Sequence, residues 1–289
     1  MIAATVMFVA LAYVFFASAV SFSKAYKAVF PVPPFRKGPF GTAGMERLRI
    51  RTPEGNTIVG LYRANPQRDK LVLLSHHAGG NKEALLKHAR LVYGMGYSVF
   101  IFDYSRHGES AGRKRRSLFK QFLKDIENVI TYLKVVHRPK ELVLFAFSLS
   151  TFVALHAASR DPSIKAIICD SGPAISYGVI FKRLRDRVWT GRRDLLGRWL
   201  FPLWCRILVG GPTPGHIARS LKHKRLLILQ GRKDYIIPEE GVLKFFCKLN
   251  GCERSYIPFP HAGHLTCLAL DKENYERALS EFLHRSTTQ

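Results

Sequence analysis

Three polar side chains of types that act together in nucleophilic catalysis are spread over the second half of the sequence. Ser148, Asp234 and His264 each come shortly after a short apolar run. A serine hydroxyl is a weak nucleophile until a base removes its proton, and histidine is the usual base. A carboxylate then holds the imidazole in the correct tautomer and stabilises its cation. The residue types and their order along the chain therefore predict a Ser-His-Asp catalytic triad.

Each of these residues also has an ordinary structural explanation. A serine between a strand and a helix is often a helix N-cap, and an aspartate before a proline-bearing loop is often a turn residue. His264 alone would be a helix-start or core histidine, and His261 is a second candidate for the base. Asp170 is a second-choice acid.

The apolar runs alternate with segments of helical periodicity. This rhythm is typical of an α/β fold with a mostly parallel sheet covered by helices on both faces. In such sheets, binding sites lie beyond the carboxyl ends of the strands, which is where the three candidate residues occur. The predicted strands are Ile58–Arg63, Leu71–Ser75, Tyr97–Asp103, Leu142–Phe147, Ile164–Asp170, Leu226–Gln230 and Arg254–Phe259. The predicted helices are Lys82–Tyr93, Leu118–Val136, Leu149–Arg160, Glu239–Leu249 and Asn274–His284.

Five short motifs follow these strands in order: HHAGGN, FDYSRHGES, AFSLS, GRKDYIIP and AGH. Together they resemble the α/β-hydrolase superfamily, especially its serine-aminopeptidase-like and Bem46-like branch. The resemblance runs from about Met45 to Arg285. It implies that the histidine of the GH pair, His264, is the base. We expect Asp103 and Ser105 to be structural. The resemblance also implies an oxyanion hole formed by the backbone N–H groups of Ala78 and Leu149.

The chain departs from the family pattern at two places. The serine motif is A-x-S-x-S instead of G-x-S-x-G, so Ala146 and Ser150 add side-chain atoms where the turn is usually crowded. His77 stands where the family usually has the glycine of an HG turn. Its imidazole either obstructs the oxyanion hole, helps to stabilise negative charge there, or points into solvent.

The first 23 residues, Met1–Ser23, contain no charged side chain and are long enough to cross a bilayer as a helix. We expect an uncleaved anchor, although Ala17-Ser18-Ala19 also resembles a signal-peptidase site, which would give a secreted protein. Basic residues follow this segment, which places the rest of the chain on the cytoplasmic side. They are Lys24, Lys27, Arg36 and Lys37. We expect the anchor to lie outside the fold. Residues 24–44, which include the proline-rich segment Pro31–Gly41, are predicted to link it to a hydrolase domain at residues 45–289.

An insertion of about fifty residues, Pro173–Lys222, is expected to form a helical cap over the site. It contains all three tryptophans and ten Lys or Arg residues against two Asp residues. The cap either buries its apolar face on the core alone or also contacts lipid through its aromatic and basic residues. The basic run Arg113–Arg116 is expected on the same rim. The formal net charge of +24 predicts attraction to an anionic surface, and we favour a membrane over nucleic acid because no recognition motif accompanies the charge.

The five cysteines show no CxxC spacing, and the sequence has neither a metal-ligand cluster nor a phosphate-binding loop, so no cofactor is expected. These observations predict a membrane-anchored serine hydrolase that cleaves a small-molecule or lipid acyl ester or thioester. Two alternatives stay open: a weakly active or inactive hydrolase fold that serves as a binding protein, and a serine peptidase.

Overall fold

The computed structural model describes residues 2–30, 41–66, 69–113, 117–189 and 195–285, with side chains from Thr5 onward. Eight strands form one sheet in the order β1-β2-β4-β3-β5-β6-β7-β8. The pairs β1–β2 and β2–β4 are antiparallel and the remaining neighbours are parallel. The strands are β1 (Glu46–Arg51), β2 (Thr57–Arg63), β3 (Lys70–Ser75), β4 (Ser98–Phe102), β5 (Glu141–Phe147), β6 (Ala166–Asp170), β7 (Arg225–Gly231) and β8 (Glu253–Phe259). This is the α/β-hydrolase architecture that the sequence predicts.

The sequence predicted seven of these strands to within about two residues, and it missed β1. In β1 the sequence ERLRIR alternates charged and apolar residues, and only Ile50 is buried. The strand lies at the edge of the sheet, where one side and one edge face water, so it lacks the apolar run that marks the central strands.

Helices cover both faces of the sheet, and two separate apolar clusters lie between them and the strands. The helices that connect strands are α2 (Leu86–Gly94), which follows a 3₁₀ turn at Lys82–Leu85, α3 (Leu118–Val136), α4 (Leu149–Arg160) and α8 (Glu239–Lys248). The short α9 (Cys267–Leu270) and α10 (Lys272–His284) close the chain. All five helices predicted from periodicity are present.

The segment between β6 and β7 contains the cap helices. These are α5 (Tyr177–Val188), α6 (Leu195–Val209) and the short α7 (Pro214–Ile217), followed by a 3₁₀ turn at Ala218–Ser220. Three residues of the predicted basic rim, Lys114–Arg116, lie outside the described residues.

The N-terminal helix α1 (Ile2–Val29) differs from the expectation that this segment stands outside the fold. Its second half packs along α6, and Ala17, Ala25 and Val29 are buried. Together with the buried Ser21, these positions repeat every four residues, so they form one stripe of the helix surface. Small residues in this stripe let the two helix backbones approach closely. The helix therefore continues into the predicted linker, and its end belongs to the hydrophobic core.

The first half of α1 has a different environment. Its large apolar side chains are exposed all around the helix, with exposed fractions between 48% at Val14 and 78% at Phe15. By length and composition Thr5–Val29 could cross a membrane, and it is the single such helix in the described part of the chain. The same features fit an anchor or a signal sequence.

Candidate active site

Ser148 lies on the sharp turn between β5 and α4, with a φ of 54° and a ψ of −121°. An L-residue rarely adopts such a backbone conformation, and the strain is typical of a turn that projects a nucleophile from the end of a sheet. The Ser148 N–H donates to the carbonyl of Asp170 at the end of β6, at 2.9 Å. Ser148 occupies the N-cap position of α4, but its side chain makes no capping hydrogen bond. Its hydroxyl is therefore available for another partner.

The two unusual residues of the A-x-S-x-S motif fit this turn. Ala146 and Ser150 are completely buried. The Ser150 hydroxyl donates a hydrogen bond to the backbone carbonyl of His76, which directly follows β3. Because a buried carbonyl needs a partner, the additional hydroxyl connects the start of α4 to the turn after β3 instead of disturbing it.

Asp234 follows β7, and its side chain is fully buried. One carboxylate oxygen accepts hydrogen bonds from the backbone N–H groups of Ile236 and Ile237, at 2.9 and 2.8 Å. These bonds fix the orientation of the carboxylate and leave Oδ2 directed at the loop that follows β8.

His264 lies in that loop and contacts both other residues of the predicted triad. Its Nδ1 is 2.7 Å from Oδ2 of Asp234, and its Nε2 is 2.9 Å from Oγ of Ser148. The loop approaches β7 closely at Gly231, where an added Cβ would lie only 2.5 Å from the carbonyl oxygen of Ala262. The structure therefore brings Ser148, His264 and Asp234 together in one hydrogen-bonded series.

The two competing candidates are placed elsewhere. His261 is exposed. Asp170 is fully buried, and its carboxylate accepts hydrogen bonds from Tyr275 at 2.7 Å and Ser171 at 2.9 Å. Burial raises the pKa of Asp170 to about 6. Asp170 thus supports the turn at Ser148 while Asp234 faces the histidine.

The backbone N–H groups predicted to form the oxyanion hole belong to residues that border one cavity. Ala78 and Leu149 line it together with Ser148 and His264. Leu149 is the first residue of α4, where a helical N–H has no intrahelical acceptor. An N–H of this kind beside a hydroxyl nucleophile is the type of donor that stabilises an oxyanion.

His77 also lines this cavity, so its imidazole does not simply point into solvent. The ring rests on Gly80, where an added Cβ would lie 2.7 Å from Cε1 of His77. Burial, together with the nearby His264 and His107, lowers the pKa of His77 to about 4. The imidazole is therefore neutral at neutral pH and brings no positive charge to the site.

A buried ion pair that the sequence analysis missed holds the turn after β3. The Lys82 ammonium lies 2.7 Å from the Asp103 carboxylate and 2.6 Å from that of Glu109. Lys82 and Asp103 are almost completely buried, so each charge depends on the other. Ser105 donates to Asp125 nearby, at 2.8 Å. Asp103 and Ser105 thus contact structural partners. Lysines are rarely buried, and no sequence pattern marked Lys82 as an exception.

The cavity in front of Ser148 has a volume of about 200 Å³ and a mostly apolar lining. One face of α5 provides four of the side chains, and Ala28 and Val29 at the end of α1 provide two more. The four from α5 are Tyr177, Ile180, Phe181 and Leu184. No lining residue within the described ranges is acidic. The cavity therefore suits an uncharged, apolar group. Within those ranges no cluster of His, Cys, Asp and Glu residues could hold a metal ion.

Comparisons with known proteins agree with this architecture. The chain is 23% identical over 249 residues to Protein bem46 of Schizosaccharomyces pombe, covering 82% of this chain and 76% of that protein. It is 29% identical over 140 residues to thiohydrolase apmlB of Arthrinium phaeospermum, covering 46% and 44%. Among solved structures, an esterase of Pyrococcus furiosus superposes with a TM-score of 0.74 at 21% identity, covering 88% of this chain and 96% of that chain.

A family model described as "Serine aminopeptidase, S33" matches residues 66–223, which is more than half of the chain. Together with the observed sheet order, this match identifies the chain as a Bem46-like member of the serine aminopeptidase S33 family of α/β-hydrolases.

Proposed function

We propose that this α/β-hydrolase cleaves an acyl ester or thioester through a covalent acyl-enzyme on Ser148. The observation that carries the proposal is the continuous hydrogen-bonded series from Ser148 through His264 to Asp234 at the edge of an apolar cavity. Nucleophile, base and orienting acid within hydrogen-bond distance of each other are the arrangement that activates a serine.

In the proposed reaction, Oγ of Ser148 attacks the carbonyl carbon of the substrate while its proton passes to Nε2 of His264. The Asp234 carboxylate stabilises the imidazolium that forms. The carbonyl oxygen becomes an oxyanion, which accepts hydrogen bonds from the N–H groups of Ala78 and Leu149.

The tetrahedral intermediate then collapses. The bond to the leaving oxygen or sulfur breaks, and the proton on His264 passes to the leaving group. Water next attacks the acyl-enzyme, with His264 as the base, and releases the carboxylic acid and free Ser148.

The lining of the cavity supports an acyl substrate over a peptide with a free amine. Recognition of an amine needs a carboxylate, and none of the described lining residues is acidic. The match to a thiohydrolase supports a thioester as one substrate class.

We further propose that the protein resides at a membrane, with α1 as its anchor and the domain on the cytoplasmic side. Two of the four basic residues expected to set this orientation, Lys24 and Lys27, lie in the described part of α1. The cap helix α6 supports the proposal because one face carries exposed apolar side chains that repeat every four residues. They are Leu195, Trp199, Leu203 and Ile207, at 70, 78, 53 and 53% exposure. An exposed apolar stripe beside an apolar helix fits contact with lipid, and the net charge of +24 favours an anionic leaflet.

Replacing the members of the triad tests the reaction. Ser148→Ala and His264→Ala should each lower kcat for p-nitrophenyl butyrate by about 10⁶-fold, because the residues act as a unit. The double variant should be little slower than either single variant, and circular dichroism should show unchanged folding. Ser220→Ala, at an exposed serine of the cap, is the matched control and should keep full activity. Substantial turnover by Ser148→Ala would exclude the mechanism.

The role of His77 is tested by His77→Gly. We expect a several-fold higher kcat/KM for p-nitrophenyl acetate, because the change removes a neutral ring from the cavity beside the oxyanion donors. The pH–rate profile above about pH 6 should keep its shape, since His77 is already neutral there. His261→Gly, at an exposed histidine, should change neither quantity. A loss of about 10²-fold would instead show that the imidazole acts as an oxyanion donor.

Contact between α6 and lipid is tested with the full chain carrying Trp189→Phe and Trp204→Phe, so that Trp199 is the one remaining tryptophan. In vesicles containing phosphatidylglycerol, brominated acyl chains should quench the fluorescence of Trp199, and aqueous iodide should quench it weakly. A matched chain that retains only Trp189, which is 5% exposed, should be quenched less by the brominated lipid. Strong quenching of Trp199 by iodide alone would place this face of α6 in water.

A further inference from the structure

We propose that the end of α1 is a wall of the acyl-binding site and limits the length of acyl group that the site accepts. The proposal rests on the acyl-hydrolase function proposed above, and it assigns a specificity role to a helix that the sequence predicted to be an anchor or a signal peptide. Its two specificity-determining residues are Ala28 and Val29.

The position of these residues carries the proposal. Both line the cavity that contains Ser148 and His264. Val29 is 4% exposed and belongs to the main hydrophobic core, whereas Ala28 is half-buried. The apolar face of α5 provides another part of the lining. An acyl chain bound to Ser148 would therefore lie between the cap and the last turn of α1.

Contacts along α1 hold this wall in place. The ring of Phe22 meets the ring of Trp204 of α6 edge-on, with centroids 5.2 Å apart. The ammonium of Lys24 lies 3.8 Å from the ring centroid of Trp189, which follows α5. Ala25 is fully buried between these two contacts and Val29. The end of α1 is thus fixed to the cap, and it does not hang from the domain as a loose tether.

The size of the cavity limits the length of the acyl group that fits between α1 and the cap. About 200 Å³ is less than the roughly 300–1,000 Å³ of pockets that enclose drug-sized ligands. We therefore expect the cavity to suit a short acyl group, and a longer chain to press against the end of α1 and the cap. Because the same helix is the proposed anchor, its position in the bilayer and the shape of the acyl site are mechanically coupled.

The test measures kcat/KM for the acetate, butyrate and octanoate esters of p-nitrophenol with the full chain in detergent micelles. Ala28→Trp places an indole in the cavity, so we expect kcat/KM for the butyrate ester to fall at least about tenfold while that for the acetate ester changes much less. Val29→Ala enlarges the cavity and should raise the octanoate-to-acetate ratio severalfold. Ala19→Trp makes the same substitution at an exposed position of the same helix and should leave the profile unchanged.

Two results would overturn the proposal: an unchanged chain-length profile in both Ala28→Trp and Val29→Ala, or the same change in Ala28→Trp and Ala19→Trp. A chain that hydrolyses none of the esters would count against the proposed reaction, and the wall is then tested by binding alone. In that case Ala28→Trp should weaken binding of a dansyl-labelled fatty acid about tenfold relative to Ala19→Trp. Equal binding by these two variants would contradict the proposed role of α1, whether or not the protein is catalytic.

Discussion

The backbone conformation of Ser148 is the constraint on which the rest of the site depends. A φ of 54° at a serine is unfavourable, and it persists because the surrounding structure leaves the turn no alternative. The amide of Ser148 is bound to the end of β6, and the hydroxyl of Ser150 is bound to the carbonyl of His76 directly after β3. Hydrogen bonds at the ends of two central strands therefore hold the strained turn in place. The hydroxyl of Ser148 contacts His264 instead of capping α4.

The two halves of the N-terminal helix lie in different environments. Its first half is apolar and exposed on all sides, and its second half packs against α6 through a stripe of small residues. This division explains how one helix can suit a membrane and also complete a cavity in the folded domain. It also places the cap, the helix and the candidate nucleophile around one cavity, so a change in the position of the helix or the cap changes the space in front of the nucleophile.

The sequence predicted the central sheet and the three candidate triad residues because short apolar runs followed by polar residues leave a strong local signal. It missed β1, where alternation of charged and apolar residues has no such signal, and it missed the buried Lys82, whose partners Asp103 and Glu109 lie on another loop. The packing of Ala25 and Val29 against the core could not be predicted either. An apolar helix that enters a bilayer and one that packs on a domain have the same composition, and only the tertiary contacts distinguish them. The environment of the His77 side chain could not be predicted either, since its neighbours His107 and His264 lie on two other loops.

In the proposed mechanism, His264 and Asp234 activate Ser148. The most direct measurement is mass spectrometry of the full chain after treatment with a fluorophosphonate, followed by mapping of the modified peptide. We expect a single adduct on Ser148 that is lost in His264→Ala while the protein stays folded. The absence of an adduct on the folded, unmodified chain, or an adduct on a different serine, would contradict it.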